Sequence, residues 1–264
     1  MIERRPAARW GVVFFVAMLP LVTTPAASNA VEGTIAIVIA SGAGVRIGGP
    51  KALLVAAPHE EPLVVAQCRD RLENESIRAI AVVRADVAKL VEPLLVALGA
   101  EVVVSRAPDA EGPAGSIAAA AAHLADTAFR AALVTPVDVR VRPETVRALV
   151  SALVSPVHEP LMEAPPGHHE PLIEAPPGLR EPRIEAVVPR FAGRRGHPVV
   201  LGPAALARYR DGAPPPLRDH LRALGDRAIT LDVDDPWISE DLDFAHQRET
   251  LLRFTGRARP RFFP

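Results

Sequence analysis

The chain has 264 residues, enough for one large α/β domain with a sizeable core or for two small ones, and nothing in the length demands a second. Hydrophobic residues make up 49% and aromatics only 4%, so the interior is built of Ala, Val and Leu; a formal net charge of -1 excludes a global pull towards nucleic acid or an anionic membrane, and any ligand charge has to be met locally. One cysteine, Cys68, excludes an internal disulfide framework and a zinc site made by cysteine alone, and is expected to be a small buried apolar residue.

At the N-terminus "MIERRPAARW" is basic, "GVVFFVAMLPLV" is apolar and "TTPAASNA" ends in small residues. Residues 1–30 thus have the layout of a secretory signal peptide, with a mis-assigned start and a true initiator near Val31 as the competing reading. The apolar run is too short for a comfortable membrane span, so no stable anchor is expected.

From Thr34 to Ala40 the run is apolar and β-branched, as in a strand buried on both faces of a parallel sheet. A glycine-rich loop follows, "SGAGVRIGGPK", and then "EPLVVAQCRDRLENE" has helical spacing. "IRAIAVVR" reads as a strand, "ADVAKLVEPLLVALG" as a helix closed by Gly99, and "AEVVVS" as a strand. An alanine-rich helix, "GSIAAAAAHLADT", is expected to be N-capped at or near Ser116, followed by the strand "RAALVTPVD" and the helix "RPETVRALVSALV". Strands alternating with helices of this length predict βαβ units: an α/β fold of three αβα layers around a Rossmann-like, mostly parallel sheet.

The alternation breaks at 158–187, where "HEPLMEAPPGH", "HEPLIEAPPGL" and "REPRIEAVVPR" are three copies of an eleven-residue unit. Each copy is too short to be a solenoid repeat and too rich in proline to pair regularly, so an extended surface insertion is expected, and only the third copy runs into what reads as structure, "IEAVVPRFAGRRGHPVVLG". Helices are read at "GPAALARYRD" and "LRDHLRALG", a strand at "RAITLDVDD", and an acidic turn entering a helix at "ISEDLDFAHQRETLLRF"; the tail 255–264 is expected to be flexible.

The glycine loop fails two familiar phosphate-loop spacings. A dinucleotide fingerprint beginning at Gly42 and Gly44 needs a third glycine where Ile47 stands, and a P-loop needs its lysine directly after Gly49, where Pro50 stands. What remains is a flexible turn carrying two cations: the backbone of Gly42, Ala43 and Gly44 could form an anion nest, while Arg46 offers forked hydrogen bonds and Lys51 a point charge. A glycine-rich βα turn with two solvated cations is the plainer alternative. Asp138 stands at the C-terminal end of a predicted strand, where it could hold a divalent cation or cap the helix "RPETV". Asp241 and Asp243 form a second acidic pair with the same two readings, and His197, between Gly196 and Pro198, could serve a ligand or only the packing.

"IASGAGVRIGGPKALL" resembles the L-A-A-G-x-S-x-R-M-G-x-x-K-x-L-L signature of the MobA-like NTP transferases, which include the molybdenum-cofactor guanylyl- and cytidylyltransferases. "EGPAGSIAAA", "VTPVDV", "GRRGHPVVL" and "EDLDFAHQ" resemble further elements of that family in the same order, so that the likeness runs from about Thr34 to Leu252. It implies one nucleotidyltransferase domain over 34–254 that takes an NTP, with CTP or GTP favoured, and a phosphorylated small-molecule acceptor, and releases pyrophosphate. It further implies Mg²⁺ held by Asp138 and Asp243, charge neutralisation by Arg46 and Lys51, and a nucleotide site made by Ala40, Gly42, Ala43, Gly44, Lys51, Gly115 and Ser116, with His197 on the acceptor side. If molybdopterin is the acceptor, a molybdoenzyme receiving the cofactor is a further partner. An NTP substrate implies a cytoplasmic protein, which conflicts with the signal-like leader. Differences from the pattern are Ser41, Ile47, Arg140 in place of proline, and Phe244-Ala245 in place of Thr-Pro. A transferase for another phosphorylated metabolite and a silent nucleotide- or partner-binding paralogue are the alternatives. Scattered arginines without an aromatic-basic cluster give no nucleic-acid footprint.

Overall fold

The computed structural model describes residues 31–75, 77–106, 112–155, 184–243, 247–257 and 259–264. The signal-like segment, the repeat unit up to residue 183 and the Phe244-Ala245 pair lie outside the described residues. The first half of the chain runs β1 (Thr34–Ala40), β2 (Val55–Ala56), β3 (Glu61–Pro62), α1 (Leu63–Arg69), β4 (Arg78–Val83), α2 (Ala85–Leu98), β5 (Glu101–Val104), α3 (Pro113–His123), β6 (Ala131–Pro136) and α4 (Pro143–Val154). The second half runs β7 (Ala186–Phe191), β8 (Arg194–Arg195), β9 (Val199–Leu201), α5 (Pro203–Ala207), α6 (Leu217–Leu224), β10 (Ala228–Asp232) and α7 (Arg248–Thr255).

One sheet has the strand order β10-β7-β9-β6-β1-β4-β5, with β8 hairpinned onto β7. β1 pairs in parallel with β4 and β6, and β5 and β10 also join in parallel, whereas β9 runs antiparallel between β6 and β7. The sheet is therefore mixed but mostly parallel. β1 feeds a different core from each face: Ile35 and Ile37 pack with Ile117 of α3, while Ala36 packs with α4 and Val38 with α1 and α2. Helices on both faces leave β1 no wet side, which is why its sequence shows no polar alternation.

The chain passes from β1 to β4 on one side of β1 and returns to β6 on the other. β1 and β6 thus flank the topological switch point, where the loops leaving their C-terminal ends diverge and open a crevice.

Two expectations change. α3 begins at Pro113 behind Gly112, whose φ of 58° suits only glycine among common residues, so Ser116 lies inside the first turn and is not the N-cap. The third copy of the repeat runs into structure as expected, since residues 186 and 187 open β7. The tail is docked as well, because Arg261 O accepts the Val55 amide at 2.7 Å and the Phe263 amide donates to Leu53 O at 2.7 Å.

Asp235 ties two distant loops together. Fully buried, it accepts the Arg142 amide and the Thr145 hydroxyl, both at 2.8 Å, and the Trp237 amide at 3.1 Å. It thereby fixes the start of α4 to the segment after β10. Asp235→Ala leaves these donors without their acceptor, and an expected loss of about 2–4 kcal/mol is measurable by urea unfolding.

Candidate active site

The loop after β1 is folded, not slack. Gly44 takes φ 62° and its carbonyl accepts the amides of Ile47 at 3.0 Å and Gly49 at 3.1 Å. A side chain at Gly44 would collide with the Gly49 carbonyl. Ile47 is buried and plugs the loop into the core, and Pro50 starts the single 3₁₀ turn Lys51–Leu53. Lys51 is therefore presented from a short rigid turn with Ala52 and Leu53 buried beside it.

Its ammonium lies 2.6 Å from Asp138 Oδ2 and 3.0 Å from Asp243 Oδ1. Asp138 is buried at the end of the β6 strand and also accepts the Leu242 amide at 3.1 Å. Three segments separated by 87 and 192 residues along the chain thus meet on one cation. Burial opposes the charge on Lys51, but the two carboxylates outweigh it and hold its pKa above the ordinary 10.5. Asp241 in the same turn is shifted upwards by partial burial and by the negative charges of Asp243 and Asp138.

The cavity in front of this cluster has a volume of about 450 Å³. Ala40, Gly42, Ala43 and Gly44 form one wall, with Ser116, Asp138, Lys51 and His197 around them. Ser41, not among the expected site residues, shares a 2.5 Å hydrogen bond with the Ser116 hydroxyl inside the cavity. Arg46 stands at the rim, 3.8 Å from Asp243, with a side chain 69% exposed. Gly115 is buried in α3 and does not line the cavity. The N-cap alternative for Asp138 is excluded, because Arg142 occupies that position of α4 and Asp235 takes its amide. Arg140 also stays out of the cavity, its guanidinium 2.9 Å from Asp70.

His197 reaches the cavity because Gly196 packs so closely on Ile238 that any side chain there would strike the Ile238 carbonyl. The His197 amide donates to that carbonyl at 2.6 Å. Burial lowers the imidazole pKa, Asp138 opposing, and Nδ1 has no hydrogen-bond partner. Cys68 is buried away from the site, with its thiol pushed up to about 12 by the same desolvation. The two carboxylates expected to hold a metal, Asp138 and Asp243, both bond to the Lys51 ammonium, and no group of three or more metal-ligating side chains gathers among the described residues.

The fold is an open α/β sheet whose cavity lies at the topological switch point, where such sheets bind their ligands. Residues 36–229 match the sequence profile of the MobA-like NTP transferase domain. The chain belongs to that family and is a nucleotidyltransferase. Among solved structures it is similar to Rv0371c from Mycobacterium tuberculosis H37Rv, with a TM-score of 0.54 and 19% identity over 84% of this chain and 97% of that one. The same protein in complex with manganese gives 0.54 and 18%, covering 84% and 98%. The 4-diphosphocytidyl-2C-methyl-D-erythritol synthase from Anaerococcus prevotii DSM 20548 gives 0.57 and 10%, covering 86% and 97%. At these identities the likeness is one of fold. No curated protein matches the chain, and among the described residues no helix is long and apolar enough to cross a membrane.

The lowered His197 pKa has a consequence for stability. The unfolded chain binds this proton near the ordinary 6.5 and the folded chain only at lower pH, so the contribution is present above 6.5 and is lost as pH falls towards the folded value. His197→Gln is expected to lose less Tm than the wild type between about pH 7.5 and 5.5, as read by calorimetric melts at both pH values.

Proposed function

We propose that the protein moves a nucleoside monophosphate from an NTP, with CTP or GTP favoured, to a phosphorylated small-molecule acceptor and releases pyrophosphate. The observation that carries the reading is the Lys51 ammonium shared by Asp138 and Asp243 beside a cavity walled by glycine backbone. Charge of both signs stands there, next to backbone close enough for a phosphate to approach.

The family resemblance implies Mg²⁺, and the donors suit it. Both carboxylates are hard oxygen ligands from different segments, and both face one positive group, which supports a reading in which they take a divalent cation. Asp138 and Asp243 would hold the ion, with the nucleotide phosphates completing its ligands. When bound, Mg²⁺ would neutralise charge along the triphosphate. The neighbour solved with manganese is in keeping with a divalent ion.

Reaction needs no protein nucleophile. An oxygen of the acceptor phosphate attacks the α-phosphorus, a new P–O bond forms, and the bond to the α–β bridging oxygen breaks with its electron pair leaving on pyrophosphate. Lys51 and Arg46 would meet the phosphates with a point charge and a fork, and the Ala40–Gly44 backbone would let the nucleotide lie close. His197, held neutral, offers a hydrogen bond on the acceptor side. Arg140, occupied with Asp70, does not block the cavity, which weighs against a silent paralogue.

Molybdopterin is the acceptor we favour, by resemblance, with a molybdoenzyme as recipient of the product. The diphosphocytidyl product in the name of the Anaerococcus neighbour supports a pyrimidine nucleotide equally well with another acceptor. An NTP substrate carries with it a cytoplasmic location.

A panel of CTP, GTP, ATP and UTP with and without Mg²⁺, followed by thermal shift and pyrophosphate release, tests the reading. One nucleotide at about 100 times its Kd should add about 2.7 kcal/mol of stability, seen as a Tm rise of several degrees that requires Mg²⁺. No response to any of the four would contradict a nucleotidyltransferase.

A further inference from the structure

The C-terminal tail and the Lys51 loop are bonded to each other. Leu54 and Phe262 form an antiparallel bridge, flanked by the Val55 amide to Arg261 O and the Phe263 amide to Leu53 O. The 3₁₀ turn that presents Lys51 therefore runs straight into a segment held by the tail. Phe262 and Phe263 pack on the cluster that contains Ile47, Ala52, Leu53 and Leu54.

The ring of Phe262 also covers Gly49. A Cβ built on that glycine would stand 3.0 Å from Phe262 Cε1, so the ring leaves no free room for a side chain there. Gly49 is where the glycine loop closes, through its amide to Gly44 O. One side chain thus bears on both ends of the segment: the closure of the cavity wall at Gly44–Gly49 and the bridge beyond Lys51. Glu60 anchors the strap upstream, pairing with Arg257 and, at 2.8 Å, with Arg261. The tail side of these contacts, Arg257 and Arg261–Phe263, lies beyond residue 229, where the match to the family profile ends, while the loop side lies within it.

We propose that residues Arg261–Phe263, Phe262 above all, are a positioning strap that holds Lys51 and the Gly44–Gly49 loop in the geometry that meets the nucleotide. The strap acts through the loop and touches no reacting atom. That Lys51 serves a nucleotide rests on the function proposed above; that the strap holds Lys51 in place does not.

The sequence supplies a direct probe, for its only lysines are Lys51 and the exposed Lys89. Acylation of the full chain with a small lysine reagent, read by peptide mass, gives the Lys51 rate with Lys89 as internal standard. In Phe262→Ala the Lys51 rate relative to Lys89 should rise by about tenfold, the factor set by about 1.4 kcal/mol of local opening. Phe262→Leu should give a smaller rise of the same sign. Leu149→Ala, a cavity in the core under α4, lowers Tm without touching the strap and should leave the ratio unchanged. NTP affinity by calorimetry should fall in parallel with the rise in Lys51 reactivity.

A wild-type ratio in Phe262→Ala, with Tm lowered as in Leu149→Ala, would overturn the strap and reduce Phe262 to packing. If Phe262→Ala does not fold, Phe262→Leu decides alone: a raised ratio supports the strap and a wild-type ratio overturns it. A raised ratio in a chain that binds no NTP in any form would support the strap and sink the nucleotide reading instead.

Discussion

The arrangement depends on one ammonium group. Asp138 comes from the end of β6 and Asp243 from the segment before α7, yet both lie within 3.0 Å of one ammonium, and two carboxylates that close repel unless a positive group stands between them. Lys51 supplies it, at 2.6 Å from the buried Asp138. The loop after β1, the end of β6 and the segment before α7 are consequently held in one place by electrostatics and not by apolar packing alone.

Much of the rest of the fold serves to bring those three segments together. The switch point puts the ends of β1 and β6 side by side. Asp235 binds the start of α4 to the stretch before Asp243, Gly196 lets the chain before β9 close on Ile238, and the docked tail keeps the Lys51 turn against the core. Each device is a polar or steric detail at the edge of the sheet. The cores on either face are ordinary Ala, Val, Ile and Leu, tolerant of exchange in a way the site is not.

Those two kinds of information were unequally visible in the sequence. The βα alternation was legible because buried parallel strands and amphipathic helices each leave a strong local pattern, and "TIAIVIA" before a glycine loop could hardly be anything but a central strand. The loop residues were legible as chemistry. Ser116 is not the cap because Gly112 and Pro113 begin the helix earlier, and a positive φ at glycine is a backbone fact that composition does not reveal. The role of Asp235 was hidden because its partners, Arg142 and Thr145, lie some ninety residues away, although Asp before Pro236 was a turn signal. The tail read as frayed because its bonds are backbone pairs to Leu53 and Val55, made by whatever residues stand there. The Ser41–Ser116 pair is likewise a contact across 75 residues with no local signature.

The most direct test of the shared-cation site is manganese binding followed by electron paramagnetic resonance, in the wild type and in Asp138→Asn, with and without the preferred nucleotide. The account predicts that the wild type binds manganese in the presence of nucleotide and that Asp138→Asn loses this binding while keeping its fold by circular dichroism. Equal manganese binding in the two proteins would show that the cation site lies elsewhere and that the Lys51–Asp138 pair is a structural salt bridge.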